Sequence, residues 1–288
     1  MEVIVNTGAI GKLYLCATPI GNLEDMPVRA IRVMKEADLI AAEDTRNSIK
    51  LINHFEINTP MTSYHEHNKV DKAAVLVEKM LSGQTIALIT DAGTPGISDP
   101  GEELVRQAID NNIEVIPIPG PVACINALII SGLPTRRFTF EAFLPFDKAE
   151  RARVLSELKT TTCTIIIYEA PHKLVRTLKE LTECLGGDRR IAVCKELTKK
   201  HERVYRATLF EAAKYYEENE PKGEYVLVIE GKNPLDIVRK NQEEWLSMSI
   251  EDHMNYYISQ GIDEKEAMKK VAKDRGVSKR DIYQSIKI

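Results

Sequence analysis

The sequence predicts an α/β protein with two α/β domains and a small helical segment at its C-terminal end. Three observations carry this reading. Apolar runs of strand length alternate with stretches of helical spacing along most of the chain, the pattern of strands joined by crossover helices. A proline-rich stretch with Pro117, Pro119 and Pro121 interrupts the alternation, which then restarts; prolines break regular structure and mark a natural boundary. After Gly231 the chain becomes polar and helical. The expected domains are therefore 1–118, 119–232 and 233–288. A length of 288 residues suits this division, because single cores grow poorly beyond about 250 residues.

The elements follow in order. Lys12–Thr18 reads as a buried strand that ends in the turn Pro19-Ile20-Gly21-Asn22. A helix runs from about Pro27 to Glu36, with the proline in the first turn, where its missing N–H is not needed. Leu39–Ala42 is a short strand, and Arg46–Phe55 and Asn68–Leu81 have helical spacing of apolar residues. Thr85–Thr90 is a strand, Pro100–Asn111 a helix and Glu114–Ile118 a strand. In the second half, strands are expected at Phe138–Ala142, Cys163–Tyr168, Ile191–Lys195, Val204–Thr208 and Tyr225–Glu230. Helices are expected at Lys148–Leu158, His172–Leu185 and Leu209–Tyr216. Further on, Glu264–Arg275 and Ser278–Ile286 flank Gly276 in the manner of a helix-turn-helix.

Composition narrows the class. A mixture of 43% hydrophobic and 28% charged residues belongs to a folded globular chain. The longest apolar run, Cys124–Leu133, contains Asn126, Ser131 and Gly132 and is about half of what a bilayer requires. The Met1-Glu2 start has no basic region followed by an apolar one, so no secretory signal is expected and the protein reads as cytoplasmic. Cys16, Cys124, Cys163, Cys184 and Cys194 are scattered without a CxxC pair, which predicts reduced thiols and no structural zinc. A net charge of −4 argues against nucleic-acid binding by overall charge, so any RNA contact must come from local patches. Candidates are Arg136, Arg137, Lys148, Arg151 and Arg153, then Lys195, Lys199, Lys200 and Arg203. From Lys269 onward, Lys269, Lys270, Lys273, Arg275, Lys279, Arg280 and Lys287 face only Asp274 and Asp281.

Two strand ends carry unusual chemistry. One is Ala17-Thr18-Pro19-Ile20-Gly21-Asn22; the other is Thr90-Asp91-Ala92-Gly93-Thr94-Pro95-Gly96-Ile97-Ser98-Asp99-Pro100-Gly101. Ligands of open α/β sheets bind beyond the carboxyl ends of strands. Glycines there admit a ligand to the backbone, and prolines keep the loop stiff. No GxxxxGK[ST] and no GxGxxG after the first strand is present, so the ligand is not expected to be a polyphosphate. In Ala42-Glu43-Asp44-Thr45-Arg46, Asp44 either caps a helix, favourable by about 1 kcal/mol, or Glu43, Asp44 and Arg46 stand at the rim of a cleft. Ser63-Tyr64-His65-Glu66-His67-Asn68 holds a His-x-His without an evident third ligand, which favours polar substrate contacts over a metal. Tyr168-Glu169-Ala170-Pro171-His172 and Lys195–Glu202 are further polar strand ends.

Several of these runs, taken in order, resemble one family. LYLCATPIGNLEDMPVRAIRVMKEADLIAAEDTR (Leu13–Arg46), TDAGTPGISDPG (Thr90–Gly101), IPGPVACINAL (Ile118–Leu128), YEAPHKL (Tyr168–Leu174), KELTKKHE (Lys195–Glu202) and GEYVLVIEG (Gly223–Gly231) are similar to the bacterial 16S ribosomal RNA cytidine 2′-O-methyltransferases, a branch of the tetrapyrrole-methylase superfamily. The resemblance spans roughly Gly11 to Gly231. It implies two α/β domains of the tetrapyrrole-methylase type with S-adenosylmethionine in the cleft between them, and a homodimer. The substrate it implies is a cytidine ribose in the decoding region of the small ribosomal subunit. Thr18-Pro19-Ile20-Gly21-Asn22 stands where tetrapyrrole methylases carry a glycine-proline-glycine loop. One departure is Phe146, at a position after Pro145 where the resemblance implies a basic residue.

The residue assignments follow from that resemblance. Glu43, Asp44 and Arg46 are expected to line the ribose and its flanking phosphate, with His65 and Glu66 as alternatives for the base. Asp91, Gly93, Thr94, Pro95, Ile97, Pro121, Val122, Tyr168, Glu169, Gly223 and Glu224 are expected to hold the cofactor, and no metal is expected. The competing readings are a tetrapyrrole or corrin methylase with the same fold, and a non-catalytic RNA-binding assembly factor.

Overall fold

Two five-stranded sheets organise the chain. A computed structural model describes residues 9–286; the Met1-Glu2 start and Lys287 of the basic cluster lie outside the described residues. The first sheet contains β1 (Lys12–Cys16), β2 (Leu39–Ala42), β3 (Met61–Ser63), β4 (Ile86–Ile89) and β5 (Glu114–Ile118). All pairings are parallel, in the order β3-β2-β4-β1-β5. The crossovers are α1 (Val28–Glu36), α2 (Thr45–His54), α3 (Lys69–Leu81) and α4 (Gly101–Asp110). Strand β4 is buried at every position, as a parallel strand covered on both faces must be. Its side chains alternate between two cores. Ala87 and Ile89 pack with Ala30, Val33 and Met34 of α1. Ile86 and Leu88 pack with Leu76 and Met80 of α3 and Leu104 of α4.

The second sheet contains β6 (Phe138–Phe143), β7 (Thr164–Glu169), β8 (Arg190–Lys195), β9 (Arg203–Thr208) and β10 (Tyr225–Ile229), in the order β6-β7-β10-β8-β9. Only β6 and β7 pair in parallel. One face is covered by α6 (Lys148–Thr160), α7 (Pro171–Leu185) and α8 (Leu209–Glu218), through Leu158, Leu174, Leu178 and Leu209. The other face is covered by α5 (Ala123–Ser131), whose Cys124, Ala127 and Leu128 meet Ile166, Ala192 and Val228. Ile20, from the loop after β1, is buried in this same core.

Most predicted elements are present with ends moved by a residue or two. Two were not anticipated. Strand β3 has three residues, too few to show a period. Helix α5 follows closely on Pro119 and Pro121 and is apolar on all sides, so neither an amphipathic stripe nor a cap announces it. Pro117 lies within β5, which tolerates it because β5 is an edge strand.

The last segment forms α9 (Pro234–Ser247), α10 (Ile250–Ile258), α11 (Glu264–Arg275) and α12 (Lys279–Ile286) around Met254, Ala267, Val271, Ala272 and Ile282. Gly276 ends α11 in the left-handed conformation, φ +66°. His253 is fully buried and stacks on Trp245, with centroids 4.0 Å apart and planes within 2°. Arg275 Nε donates to His253 Nδ1 at 3.2 Å, and its guanidinium also donates to the Met248 carbonyl.

This corrects the reading of the basic clusters. Arg275 is buried and serves the helical core rather than a phosphate. Arg151 is buried too, paired with Glu180 at 2.6 Å. Arg153 pairs with Glu157, and Lys199 with Glu196 and Glu224.

Candidate active site

The site begins where the carboxyl ends of β1 and β4 meet. Thr18 N–H donates to the Gly93 carbonyl at 2.9 Å, and Gly93 N–H returns a bond to Thr18 at 3.1 Å. This bridge pins the two glycine-containing loops together. Gly93 has φ +89°, a conformation that side chains disfavour. Asp99 shapes the second loop, its carboxylate accepting N–H bonds from Gly96, Ile97 and Gly101 at 2.8–3.2 Å. Thr94 donates its hydroxyl to the Pro121 carbonyl at 3.0 Å, which ties this loop to the crossing between the sheets.

The end of β2 supplies carboxylates. Glu43 Oε2 accepts from the Thr90 hydroxyl at 2.5 Å and from Asp91 N–H at 3.3 Å. Asp91 in turn accepts from Asp44 N–H at 3.1 Å and from Asn47 Nδ2 at 3.2 Å. Asp44 caps α2, accepting from Arg46 N–H at 2.8 Å, and its carboxylate also binds the Arg46 guanidinium. The guanidinium holds the Asp44 carboxyl down to about 2. Asp44 is thus a helix cap, and Glu43 lines the cleft.

The second sheet completes the walls at the end of β7. Tyr168 Oη accepts from Cys124 N–H at 3.0 Å, and burial pushes its phenol pKa up. Glu169 is 4% exposed. Its carboxylate accepts from Ala170 N–H at 2.8 Å and from the Thr177 hydroxyl at 2.5 Å. Thr177 Oγ1 accepts from Arg151 Nη2 at 2.8 Å, so the buried arginine supports the pocket wall from behind. Over the rim, the Lys199 side chain lies where a side chain on Gly21 would stand, and its ammonium bridges Glu196 and Glu224 at 3.0 Å each.

Between these walls lies a cleft of about 440 Å³, within the size range of small-molecule sites, roughly 300–1,000 Å³. Ile20, Val122, Phe143, Tyr168, Leu197 and Val226 give it apolar walls. Its charged lining residues are Glu43, Asp91, Asp99, Glu169 and Glu224, and among the described residues no lysine, arginine or histidine lines it. Such a lining concentrates negative potential. It suits a cationic ligand with an apolar body and repels phosphate.

Of the expected cofactor residues, Asp91, Gly93, Thr94, Ile97, Val122, Tyr168, Glu169 and Glu224 line the cleft. Pro95, Pro121 and Gly223 are not among the lining residues. Pro121 acts through its carbonyl, and Gly223, at φ +87°, makes room for the Glu196 side chain. Glu43 lines the cleft, whereas Arg46 lies on a shallow neighbouring hollow with Met61 and Ser63. His65 and Glu66 are away from the lining: His65 N–H donates to Asn68, and Glu66 pairs with Lys69. Sequence reasoning gave no role to Phe143, Cys194, Leu197 and Val226, and it singled out the loop that holds Thr90 and Asp99 without assigning either to the cofactor. The Asp-Pro-Gly turn at Asp99 was a usable signal. Phe143 was not legible, because an irregularity in β6 with Ala142 at φ +50° brings it opposite Tyr168. Among the described residues, no group of three or more His, Cys, Asp or Glu could hold a metal ion, and no helix is long and apolar enough to cross a membrane.

The chain is similar to known proteins. A protein of Halalkalibacterium halodurans named ribosomal RNA small subunit methyltransferase I is 52% identical over 273 residues, covering 95% of this chain and 93% of its own. A Bacillus subtilis protein of the same name is 47% identical over 279 residues, covering 97% and 95%. Among solved structures, diphthine synthase superposes with a TM-score of 0.63 at 14% identity, over 77% of this chain and 91% of its own. Uroporphyrin-III C-methyl transferase from Thermus thermophilus, complexed with S-adenyl homocysteine, superposes with a TM-score of 0.54 at 19% identity, over 76% and 97%. These two likenesses are of fold. Residues 12–213 match the family described as tetrapyrrole (corrin/porphyrin) methylases, and the chain belongs to that family.

Proposed function

We propose that the chain transfers a methyl group from S-adenosylmethionine to the ribose 2′ hydroxyl of a cytidine in small-subunit ribosomal RNA, in the decoding region. The observation that carries the cofactor assignment is the cleft lining, which combines apolar walls with carboxylates and contains no cationic side chain. A sulfonium with an ammonium group and a ribose fits that chemistry, and a polyphosphate does not. The names of the relatives, at 52% and 47% identity over nearly the whole chain, support the RNA acceptor.

S-adenosylmethionine, when bound, supplies the reactive methyl group. This chain's part is to bind, align and deprotonate. Asp91, Gly93, Thr94, Ile97, Val122, Tyr168, Glu169 and Glu224 contact the cofactor, while Pro95, Pro121 and Gly223 hold its loops in shape. A ribose hydroxyl must lose its proton to attack, and Glu43 is the member of the acidic loop in the cleft wall, so it takes that proton. Asp44 fixes Arg46, which meets a flanking phosphate. In this reading the enzyme is cytoplasmic, where its ribosomal substrate is assembled, and homodimeric. The outward apolar residues Ile125 and Ile129 of α5 support a partner surface. The units 1–118, 119–232 and 233–288 belong to the same proposal; the packing of α5 on the second sheet supports a boundary near residue 118.

The test is methyl transfer from labelled S-adenosylmethionine to small ribosomal subunits from cells lacking this protein, followed by digestion to nucleosides. Labelled 2′-O-methylcytidine is expected. Label on a porphyrin precursor alone would move the chain to tetrapyrrole chemistry, and no label would refute the enzyme reading. Alanine at Glu43, Asp44 or Arg46 should lower methylation and spare cofactor affinity; full activity in all three would remove them from the acceptor side.

A further inference from the structure

Phe146 is 83% exposed, far more than the aromatic residues that build the pocket. Phe143, three residues earlier, lines the cleft and packs edge-on against Tyr168, with centroids 5.7 Å apart. At the end of the neighbouring strand β7, Ala170 and Pro171 line the cleft, and Lys173 follows in the first turn of α7. The Lys173 ammonium stands over the Phe146 ring, 3.4 Å from its centroid.

Neither residue is explained by stability. A cation in the first turn of a helix opposes the helix dipole, and an exposed aromatic–cation pair is worth only about 0.5–1 kcal/mol. Among the described residues no carboxylate pairs with Lys173. Asp147, which follows Phe146 in the chain, caps α6, accepting from Glu150 N–H at 2.9 Å. What remains is a flat apolar ring facing solvent with an uncompensated ammonium on one face, three residues from Phe143 and two from Pro171 of the cleft lining. Nucleic-acid strands outside a duplex are held by this pairing: bases stack on aromatic rings, and cations meet the phosphates between them.

We propose that Phe146 and Lys173 form a nucleotide subsite beside the cleft, in which the ring stacks on an unpaired base of the substrate strand and the ammonium binds an adjacent phosphate. The inference builds on the RNA reading of the cleft and assigns specificity for an unstacked strand to two residues outside the cofactor site. The lysine supplies, from α7, a cation at the place where the chain itself has Phe146 after Pro145.

The test compares wild type, Phe146→Ala, Phe146→Trp and Lys173→Met. Their kcat/KM for small ribosomal subunits and their S-adenosylmethionine affinity by calorimetry are measured, and circular dichroism checks folding. If wild type does not methylate subunits, the RNA reading fails, and the subsite with it. If wild type is active, Phe146→Ala should lose about 5- to 150-fold in kcat/KM, the span of base-stacking losses, with cofactor affinity unchanged. Phe146→Trp should recover most of it. Lys173→Met should reduce the slope of binding against salt by roughly one phosphate contact. Wild-type kcat/KM in Phe146→Ala, or a fall in its cofactor affinity to match its lost activity, would overturn the subsite.

Discussion

Thr177→Val tests whether the wall of the cleft is held from behind. Thr177 is fully buried, and Glu169 and Arg151 beside it are 4% and 8% exposed, so water cannot replace a missing partner. The hydroxyl donates to Glu169 Oε2 at 2.5 Å and accepts from Arg151 Nη2 at 2.8 Å. Valine keeps the shape and removes both bonds, which leaves a carboxylate oxygen and a guanidinium N–H short of a partner. Hydrogen bonds to charged groups contribute about 1.5–3 kcal/mol each. Because the two share one hydroxyl, we expect a loss of about 2–4 kcal/mol, a fall in Tm of roughly 3–7 °C. Thr177→Ser is the control. It keeps the hydroxyl and deletes one methyl group, about 0.8 kcal/mol. Thermal and urea unfolding should separate the two variants, and S-adenosylmethionine affinity should fall in Thr177→Val alone. Stability of the valine variant within about 1 kcal/mol of the serine variant would refute the supporting role.

Other expectations follow from the same geometry. Burial and the Arg275 charge lower the His253 pKa below its ordinary value near 6.5. The native state then binds fewer protons than the unfolded one, so the C-terminal helices keep full stability above pH ~6.5 and lose it as pH falls below that. Trp245, the single tryptophan, stacks on this ring; tryptophan emission and melting that do not change between pH 7.5 and 5 would contradict the shift. Burial pushes the Cys16 and Cys194 thiols up to about 12, so alkylation at pH 8 should spare both in the native protein and modify them after unfolding, as peptide mass spectrometry would show. Gly93→Val forces a side chain onto φ +89° and within 3.3 Å of Ile20, and calorimetry should record weaker cofactor binding; unchanged affinity would remove this loop from the site.

What the sequence revealed, and what it hid, follows the range of the interactions involved. The loops after β1 and β4 were legible because their glycines, prolines and aspartates are local signals, and the structure bridges them at Thr18 and Gly93. The capping role of Asp44 was equally local. Arg151 and Arg275 looked like phosphate ligands because a charged residue does not reveal its partner. Glu180 lies 29 positions from Arg151, and His253 lies 22 from Arg275. Helix α5 escaped because its apolar character has no preferred side. The far wall of the cleft, Cys194, Leu197 and Val226, consists of ordinary apolar residues that only the order of the second sheet brings to the ligand.

Ile20 grows from the first sheet and is buried in the core of the second. Any motion that spreads the cleft must withdraw that side chain into water, a cost of about 1.5–3 kcal/mol. An open form limited by this residue alone would make up roughly 1–7% of molecules at equilibrium. Its burial fastens the loop after β1 to the second sheet. Trimming it to alanine should speed both loading and release of the cofactor by similar factors, with the equilibrium affinity changing less than either rate.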